Sequence, residues 1–433
     1  MTMAKRGTST AMPKLRFPEF RGQRSWEIKE LSQLLTTISN GLSLPQNSSG
    51  SGLKVTRIET IADGTIDLDR VGYVETTKKD IEDYRLNIGD VLFSNINSVA
   101  HIGKSVLVDT DQDLYHGMNL LRLRVDAESN SPHFVYFSIN TPPVRESFRE
   151  RANKAVNQAS INQTEVSRTL IPAPSRIEQQ KIADCLTSLD EVIAAQGRKV
   201  EALKAHKRGL MQQLFPREGE TVPRLRFPEF RDGPEWEERT LGEISKLVRG
   251  PFGGSLKKEI FVENGYAVYE QSHAIYGDFS SFRYYISEDK FDDLKRFAVA
   301  ATDIIMSCSG TMGKFAVIPH DAAAGVINQA LLKLTATPSC NPQFLKEVLE
   351  LPSVQQKLLS QSGGGAIQNV VSVDQIKALP LRLPGESEQR KIVDCVASFD
   401  AQIAGESEKL AALKTHKQGL MQQLFPSPVE ASA

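Results

Sequence analysis

A fixed internal offset constrains what this chain can fold into more than any other feature. The segment Pro13-Lys14-Leu15-Arg16-Phe17-Pro18-Glu19-Phe20-Arg21 returns 210 positions later as Pro223-Arg224-Leu225-Arg226-Phe227-Pro228-Glu229-Phe230-Arg231, and Trp26 returns as Trp236. The same offset relates Glu178-Gln179-Gln180-Lys181-Ile182-Ala183-Asp184-Cys185 to Glu388-Gln389-Arg390-Lys391-Ile392-Val393-Asp394-Cys395. Gly209-Leu210-Met211-Gln212-Gln213-Leu214-Phe215-Pro216 is repeated unchanged from Gly419 to Pro426. Self-similarity of this kind marks a structural unit written twice. Between the matching ends the two middles diverge, keeping only isolated matches such as Gly103-Lys104 with Gly313-Lys314, Phe134 with Phe344 and Pro142 with Pro352. A duplicated enzyme would hold its chemical residues and vary their surroundings. Here the ends are held and the middles vary, which suits recognition of two different things at a fixed separation.

The repeated ends carry a helical signature. Apolar residues fall at Ile182, Leu186, Leu189, Ile193, Val200, Leu203, Leu210 and Leu214, and again at Ile392, Val396, Phe399, Ile403, Leu410, Leu413, Leu420 and Leu424, in alternating steps of four and three. Prolines 174 and 216 bracket the first run and prolines 384 and 426 the second. The pattern predicts a helix from Glu178 to Phe215, about 57 Å long at ~1.5 Å per residue, and an equivalent one in the second copy. Two such helices are expected to pack antiparallel as a coiled coil. Polar residues interrupt both seams at matching places, Gln196 with Glu406 and Lys207 with Lys417. In antiparallel packing Gln196 and Glu406 are expected to meet and fix register; the alternative is that each lies on a solvated face.

Composition adds exclusions. At 433 residues the chain has room for two or three domains. A net charge of −1 gives no global basic excess, so any contact with nucleic acid must come from local patches. Lys5 and Arg6 are followed by no apolar stretch and no run is long enough to span a bilayer, so a cytoplasmic location is expected. Cys185, Cys308, Cys340 and Cys395 stand far apart without a CxxC pair, arguing against a disulfide framework or a zinc site.

The doubled order of these motifs resembles the specificity subunit of type I restriction-modification systems. The segment Pro13 to Phe20 with Trp26, a variable middle, the Glu178-Gln179-Gln180-Lys181-Ile182-Ala183 helix and its Leu-Met-Gln-Gln-Leu-Phe-Pro end all recur, so the resemblance covers nearly the whole chain. It implies an α+β fold: a tandem duplication of a mixed α/β target recognition domain followed by a long helix. The implied divisions are a strap at 1–27, a first recognition domain at 28–174, a spacer helix at 175–216, a linker strap at 217–236, a second recognition domain at 237–384, a second helix at 385–426 and a tail at 427–433. The implied role is non-catalytic. Each recognition domain would read half of a bipartite site in double-stranded DNA, while the helices set the spacing and dock two methyltransferase subunits, which two restriction subunits can join. S-adenosylmethionine and ATP would then be held by those partners, with no cofactor, metal or membrane contact in this chain.

Within the middles, a strand-like run leads into a polar, glycine-punctuated loop in each copy, Asp90 to Lys104 and Asp303 to Lys314. Side chains here suited to bases or phosphates are Asn95, Asn97, Ser98, His101 and Lys104 in the first, and Ser307, Ser309, Thr311 and Lys314 in the second. Further candidates are Asn153, Lys154, Asn157 and Gln158, aligned loosely with Gly363, Gly364, Gln368 and Asn369, whose glycines allow close backbone approach. Two more segments, Asn47 to Lys54 and Arg249 to Ser255 with Lys257 and Lys258, are expected to follow a first helix at Leu31 to Ile38 and at Leu241 to Val248. Any of these loops can equally be ordinary solvated chain. Tyr266, Tyr269, Tyr276, Tyr284 and Tyr285 read first as half-buried strand residues and second as rings that stack on bases.

Catalytic motifs are missing. Ile102-Gly103-Lys104-Ser105 lacks the earlier glycine of a phosphate-binding loop, where Ser98 stands, and its counterpart Gly313-Lys314-Phe315 lacks the hydroxyl. Asn140-Thr141-Pro142-Pro143-Val144 carries an inserted threonine and no aromatic residue, unlike the motif that holds a flipped adenine. A coiled-coil scaffold without a nucleic-acid role and a self-sufficient DNA-modifying enzyme stand as the competing readings.

Overall fold

The computed structural model describes residues 10–48, 50–155, 158–252, 254–360 and 372–427. They divide into two compact units. Unit 1 holds the chain up to Gly197 together with the segment from Glu408 onward, and unit 2 holds Arg198 to Ser407.

Unit 1 is built on a four-stranded antiparallel sheet in the order Leu35–Asn40, Leu121–Val125, Asp90–Phe93, Ser105–Leu107. All four residues of Asp90–Phe93 are buried, because the helices Pro132–Ile139 and Pro142–Arg151 cover one face and a satellite cluster of Ile61, Leu92, Val106 and Leu120 the other. Both helices begin on a proline, whose missing N–H is harmless in the first turn. A separate antiparallel trio, Thr10–Ala11, Trp26–Glu30 and Leu170–Ala173, ties the start of the domain to its end.

Unit 2 repeats this frame. Its main sheet runs Ser245–Arg249, Leu331–Ala336, Ile304–Ser307, Phe315–Val317, with the helices Pro342–Leu349 and Pro352–Ser360 following. Glu237–Thr240 pairs with Pro380–Leu383. The units differ in what they insert between the first two strands of this sheet. Unit 1 has a short hairpin, Leu53–Val55 with Gly72–Val74. Unit 2 has three strands there, Phe261–Val262, Tyr266–Tyr269 and Tyr285–Ile286, which form a four-stranded sheet with the later strand Gly325–Ile327, the last pairing parallel. Tyr266, Tyr269 and Tyr285 are strand residues here; Tyr276 is exposed, and Tyr284 stacks on Phe261 at 4.3 Å.

One local expectation fails. The helix expected over Leu31 to Ile38 is a single 3-10 turn, Leu31–Leu34, followed by the strand Leu35–Asn40. In the second copy a helical turn, Leu241–Ile244, gives way to the strand Ser245–Arg249. Leu31 and Leu34 are buried in the turn, after which the chain pairs with Leu121–Val125 through the β-branched Thr37 and Ile38, with Thr36 bulged out of register.

The long helices are Arg176–Leu214 and Glu386–Leu424, 39 residues each, and they pack antiparallel. In unit 2, Lys207 donates to Asp400 at 2.6 Å and Lys199 ion-pairs with Glu406, so partner numbers rise on one helix as they fall on the other. In unit 1, Lys417 donates to Asp190 at 2.5 Å and lies over the Phe137 ring. The two seam lysines thus find carboxylates. Gln196 is buried within unit 1.

The repeated motifs explain themselves in contacts. Arg16 forms a bidentate pair with Glu178, both bonds at 2.7 Å, and the two side chains are only 8% and 1% exposed. Arg226 does the same with Glu388 at 2.8 and 2.7 Å. The next residue is a clamp: Gln179 accepts from the Ser131 N–H at 3.0 Å and donates to the Pro174 carbonyl at 3.0 Å. Gln389 accepts from the Asn341 N–H at 2.8 Å and donates to the Pro384 carbonyl at 2.9 Å. The shared helix ends close each unit. Leu15 N–H donates to Gln423 O and Phe425 packs 5.4 Å from Phe134 in unit 1, while Leu225 N–H donates to Gln213 O and Phe215 packs 5.6 Å from Phe344 in unit 2.

Candidate nucleic-acid interface

In unit 1 a buried carboxylate sets where the polar loop begins. Asp90 accepts from Asn87 N–H at 2.9 Å and takes the Arg124 guanidinium through two bonds of 2.8 Å, fixing the turn into Asp90–Phe93. Beyond that strand, Ser94 N–H bonds Lys104 O and Gly103 N–H bonds Ser94 O, pinching the loop at its base. Its outer part is then stitched to a distant segment. Ile96–Asn97 pairs with Ala159–Ser160, which pairs with Asn153–Lys154.

This three-stranded patch gathers most of the candidates in unit 1. Asn153, Lys154 and Gln158 are exposed. Asn97 accepts from Ser98 N–H at 2.8 Å, and the Ser98 hydroxyl lies 2.6 Å from His101 Nδ1. Asn95 is buried, with its Oδ1 unpartnered among the described residues and its backbone carbonyl bonded to Ile161 N–H. Lys104 donates to Ala62 O at 2.9 Å, tying the loop to the 59–64 turn. Lys54 belongs to the separate Leu53–Val55 hairpin, half-buried beside Tyr73. Asn157 lies outside the described residues.

In unit 2 the shorter 308–314 turn exposes Ser309, Thr311 and Lys314. Ser307 is buried, its hydroxyl accepting from Lys314 N–H at 3.0 Å. Asp303 plays the part of Asp90, accepting from Ala300 N–H at 2.8 Å and from the Thr335 hydroxyl at 2.5 Å. The turn leans on the 328–331 segment through Cys308 N–H to Ala330 O, and that segment also carries the loop with Ser255, since Gly250 N–H bonds Leu331 O. The two candidate loops of unit 2 therefore flank one strip of backbone. Lys257 and Lys258 are exposed on the second loop. Gly363, Gly364, Gln368 and Asn369 lie outside the described residues.

Among the described residues Lys154, Lys257, Lys258 and Lys314 form no ion pair with a carboxylate, which leaves them able to displace counterions from phosphates. No group of three or more metal-ligating side chains is found among the described residues, nor is any helix long and apolar enough to cross a membrane.

The loop positions that sequence spacing does not indicate are Met118 and Asn119 in unit 1 and Asn328 in unit 2. They lie where two chain segments cross. A Cβ on Gly41 would sit 1.8 Å from Gly117 O, and one on Gly250 would sit 1.8 Å from Asn328 O, so each crossing admits only glycine. The sole sequence signal is a glycine just past the first strand of each copy.

The crossing in unit 1 rests on a buried histidine. His116 O accepts from Leu42 N–H at 2.8 Å, and its Nε2 bonds Leu120 O at 3.0 Å, leaving Nδ1 buried without a partner among the described residues. Burial pushes His116 down to about 4. The folded value lies below the unfolded one of about 6.5, so the unfolded chain gains a proton first and stability falls as pH drops from 7 toward 4, by roughly 3 kcal/mol in full. Urea titrations of the native chain and of His116→Asn across this range should differ progressively less toward acid. Parallel curves would show that His116 does not titrate in this way.

Comparison with known proteins follows the same frame. The model of the type I restriction modification DNA specificity domain matches twice, at residues 23–205 and 234–415. A putative type I restriction enzyme MjaX specificity subunit from Methanocaldococcus jannaschii is 30% identical over 408 residues, covering 93% of each chain. The EcoKI specificity subunit of Escherichia coli is 24% identical over 228 residues, covering 51% of this chain and 49% of that one. Among solved structures, the type I S subunit from M. genitalium superposes with a TM-score of 0.57 at 15% identity, covering 96% of this chain and 99% of the other. With the doubled frame, the paired helices and both family matches in place, the chain belongs to the specificity subunits of type I restriction-modification systems.

Proposed function

We propose that unit 1 and unit 2 each read one half of a bipartite DNA target, through recognition domains at 28–174 and 237–384. The observation that carries this reading is the contrast between a frame whose ion pair and glutamine clamp recur in both units, Arg16–Glu178 with Gln179 and Arg226–Glu388 with Gln389, and loops that differ in length, pairing and chemistry above it. Identical frames hold position; different loops choose sequence. Asn97, Ser98, His101, Asn153, Lys154 and Gln158 would contact one half-site, and Ser255, Lys257, Lys258, Ser309, Thr311 and Lys314 the other.

The long helices at 175–216 and 385–426 would set the distance between half-sites, with Gln196 and Glu406 fixing register, and would dock two methyltransferase subunits, to which restriction subunits add. The chain itself is non-catalytic in this reading and acts in the cytoplasm. S-adenosylmethionine and ATP belong to its partners. Co-expression with methyltransferase subunits of its own system, followed by mapping of methylated adenines, tests the proposal. The expected product is methylation at a split sequence with a fixed spacer; methylation at one contiguous site, or none, overturns it.

A further inference from the structure

Phe252 is 92% exposed, an unusual position for a phenylalanine in a folded loop. The backbone around it is anchored. Pro251 is buried, Gly250 is locked at the crossing against Asn328, and Ser255 N–H bonds Phe252 O at 2.9 Å. The same loop carries the exposed Lys257 and Lys258, and the 328–331 segment that bonds Gly250 also bonds the turn bearing Ser309, Thr311 and Lys314. Unit 1 places apolar side chains at the same crossing, Leu44 at 37% and Met118 at 39% exposure, although the two loops share little beyond the crossing glycine.

A ring this exposed, set just past a locked crossing on a loop whose Lys257 and Lys258 form no ion pair with a carboxylate among the described residues, fits one occupant. We infer that Phe252 is a wedge that enters a base step of duplex DNA in the half-site read by unit 2, where it partly unstacks that step while the lysines hold the adjacent phosphates. Apolar side chains inserted between base pairs act in this way, exchanging stacking between bases for stacking on the ring. The inference rests on the DNA-reading role proposed above and adds how one side chain of that site works.

The test uses the full chain in complex with its methyltransferase subunits, and duplexes bearing the mapped target with 2-aminopurine at successive positions other than the methylated adenine. Binding of the native complex should raise fluorescence several-fold at one step of the unit 2 half-site. Phe252→Ala should abolish that rise and weaken binding on the order of 10-fold, with Phe252→Trp restoring both and the other half-site unaffected. The side chain is in solvent, so thermal melting should be unchanged. An alanine variant that keeps both the signal and the affinity within twofold overturns the wedge while leaving the DNA-reading role intact. Loss of the methyltransferase subunits from the alanine complex would overturn it by assigning the ring to a protein contact. A native complex without sequence-dependent binding sinks both readings.

Discussion

Glu178→Ala is expected to lower the stability of unit 1 by about 3–5 kcal/mol, the range for removing one partner of a buried ion pair. The carboxylate sits under the strap with 1% exposure and accepts three bonds, two from Arg16 and one from the Trp26 indole N–H at 3.3 Å. Truncation leaves a guanidinium that Glu178 holds above its ordinary pKa, still bonded to the Gln23 and Arg24 carbonyls but without its counter-charge, together with an indole N–H without its acceptor. The second copy supplies an internal control. Trp236 Nε1 is buried without a hydrogen-bond partner among the described residues, so Glu388 carries only the Arg226 bonds and its loss orphans one group fewer. Glu388→Ala should therefore cost roughly 1 kcal/mol less in unit 2 than Glu178→Ala costs in unit 1.

Two units need not unfold together, so the measurement is hydrogen exchange resolved by peptide rather than a single melting curve. Losses under 1 kcal/mol in both variants would show that the strap is held by its aromatic contacts and not by the pair. The pair is not expected to be a net stabiliser over an apolar equivalent. The double change Arg16→Met with Glu178→Leu should recover much of the loss, because desolvating two charges offsets their attraction.

The frame was legible because its residues recur with a purpose each: an arginine and a glutamate for the strap, a glutamine for the clamp, a Leu-Phe-Pro end for the neighbouring core. The helix ends agree with the proline brackets to within two residues. What sequence obscured was pairing at long range. Leu35–Asn40 looks helical beside Leu31 and Leu34, and only its partner Leu121–Val125, far along the chain, makes it a strand. The candidate loops were visible as polar, glycine-bearing stretches, but nothing local shows that Asn97 is laddered to Ala159, or that Ser307 turns inward to hold Lys314 N–H. Phe252 lies in a segment that stands out in the sequence for its glycines and lysines. Its exposure follows from the crossing at Gly250, a tertiary fact.

Replacing residues 28–174 with the equivalent segment of another specificity subunit is expected to change one half of the DNA target completely, leaving the other half and the spacer as they were. The contacts at the junctions make this feasible. Trp26 stays with the strap, and the segment ends at the proline that precedes the helix. The main polar grip on the inserted domain, Gln179 Oε1 on Ser131 N–H, is to backbone, as is Gln389 on Asn341 N–H. Any incoming chain that turns into a helix there presents the same N–H. It must also bring side chains that meet the frame: aromatic rings at 134, where Trp26 and Phe425 pack at 6.0 and 5.4 Å, and at 137, under Lys417, and an acceptor at 130 for Gln179 Nε2. A domain that satisfies both should fold on the existing frame, and discrimination at the exchanged half-site, roughly 10³-fold or more over unrelated DNA in proteins of this kind, should pass entirely to the donor's sequence. Maps of methylated adenines before and after the exchange provide the readout. A chimera whose target changes in both halves would mean that reading is shared between the units, and one whose spacer changes would mean that the domains, and not the helices of 39 residues, set the distance.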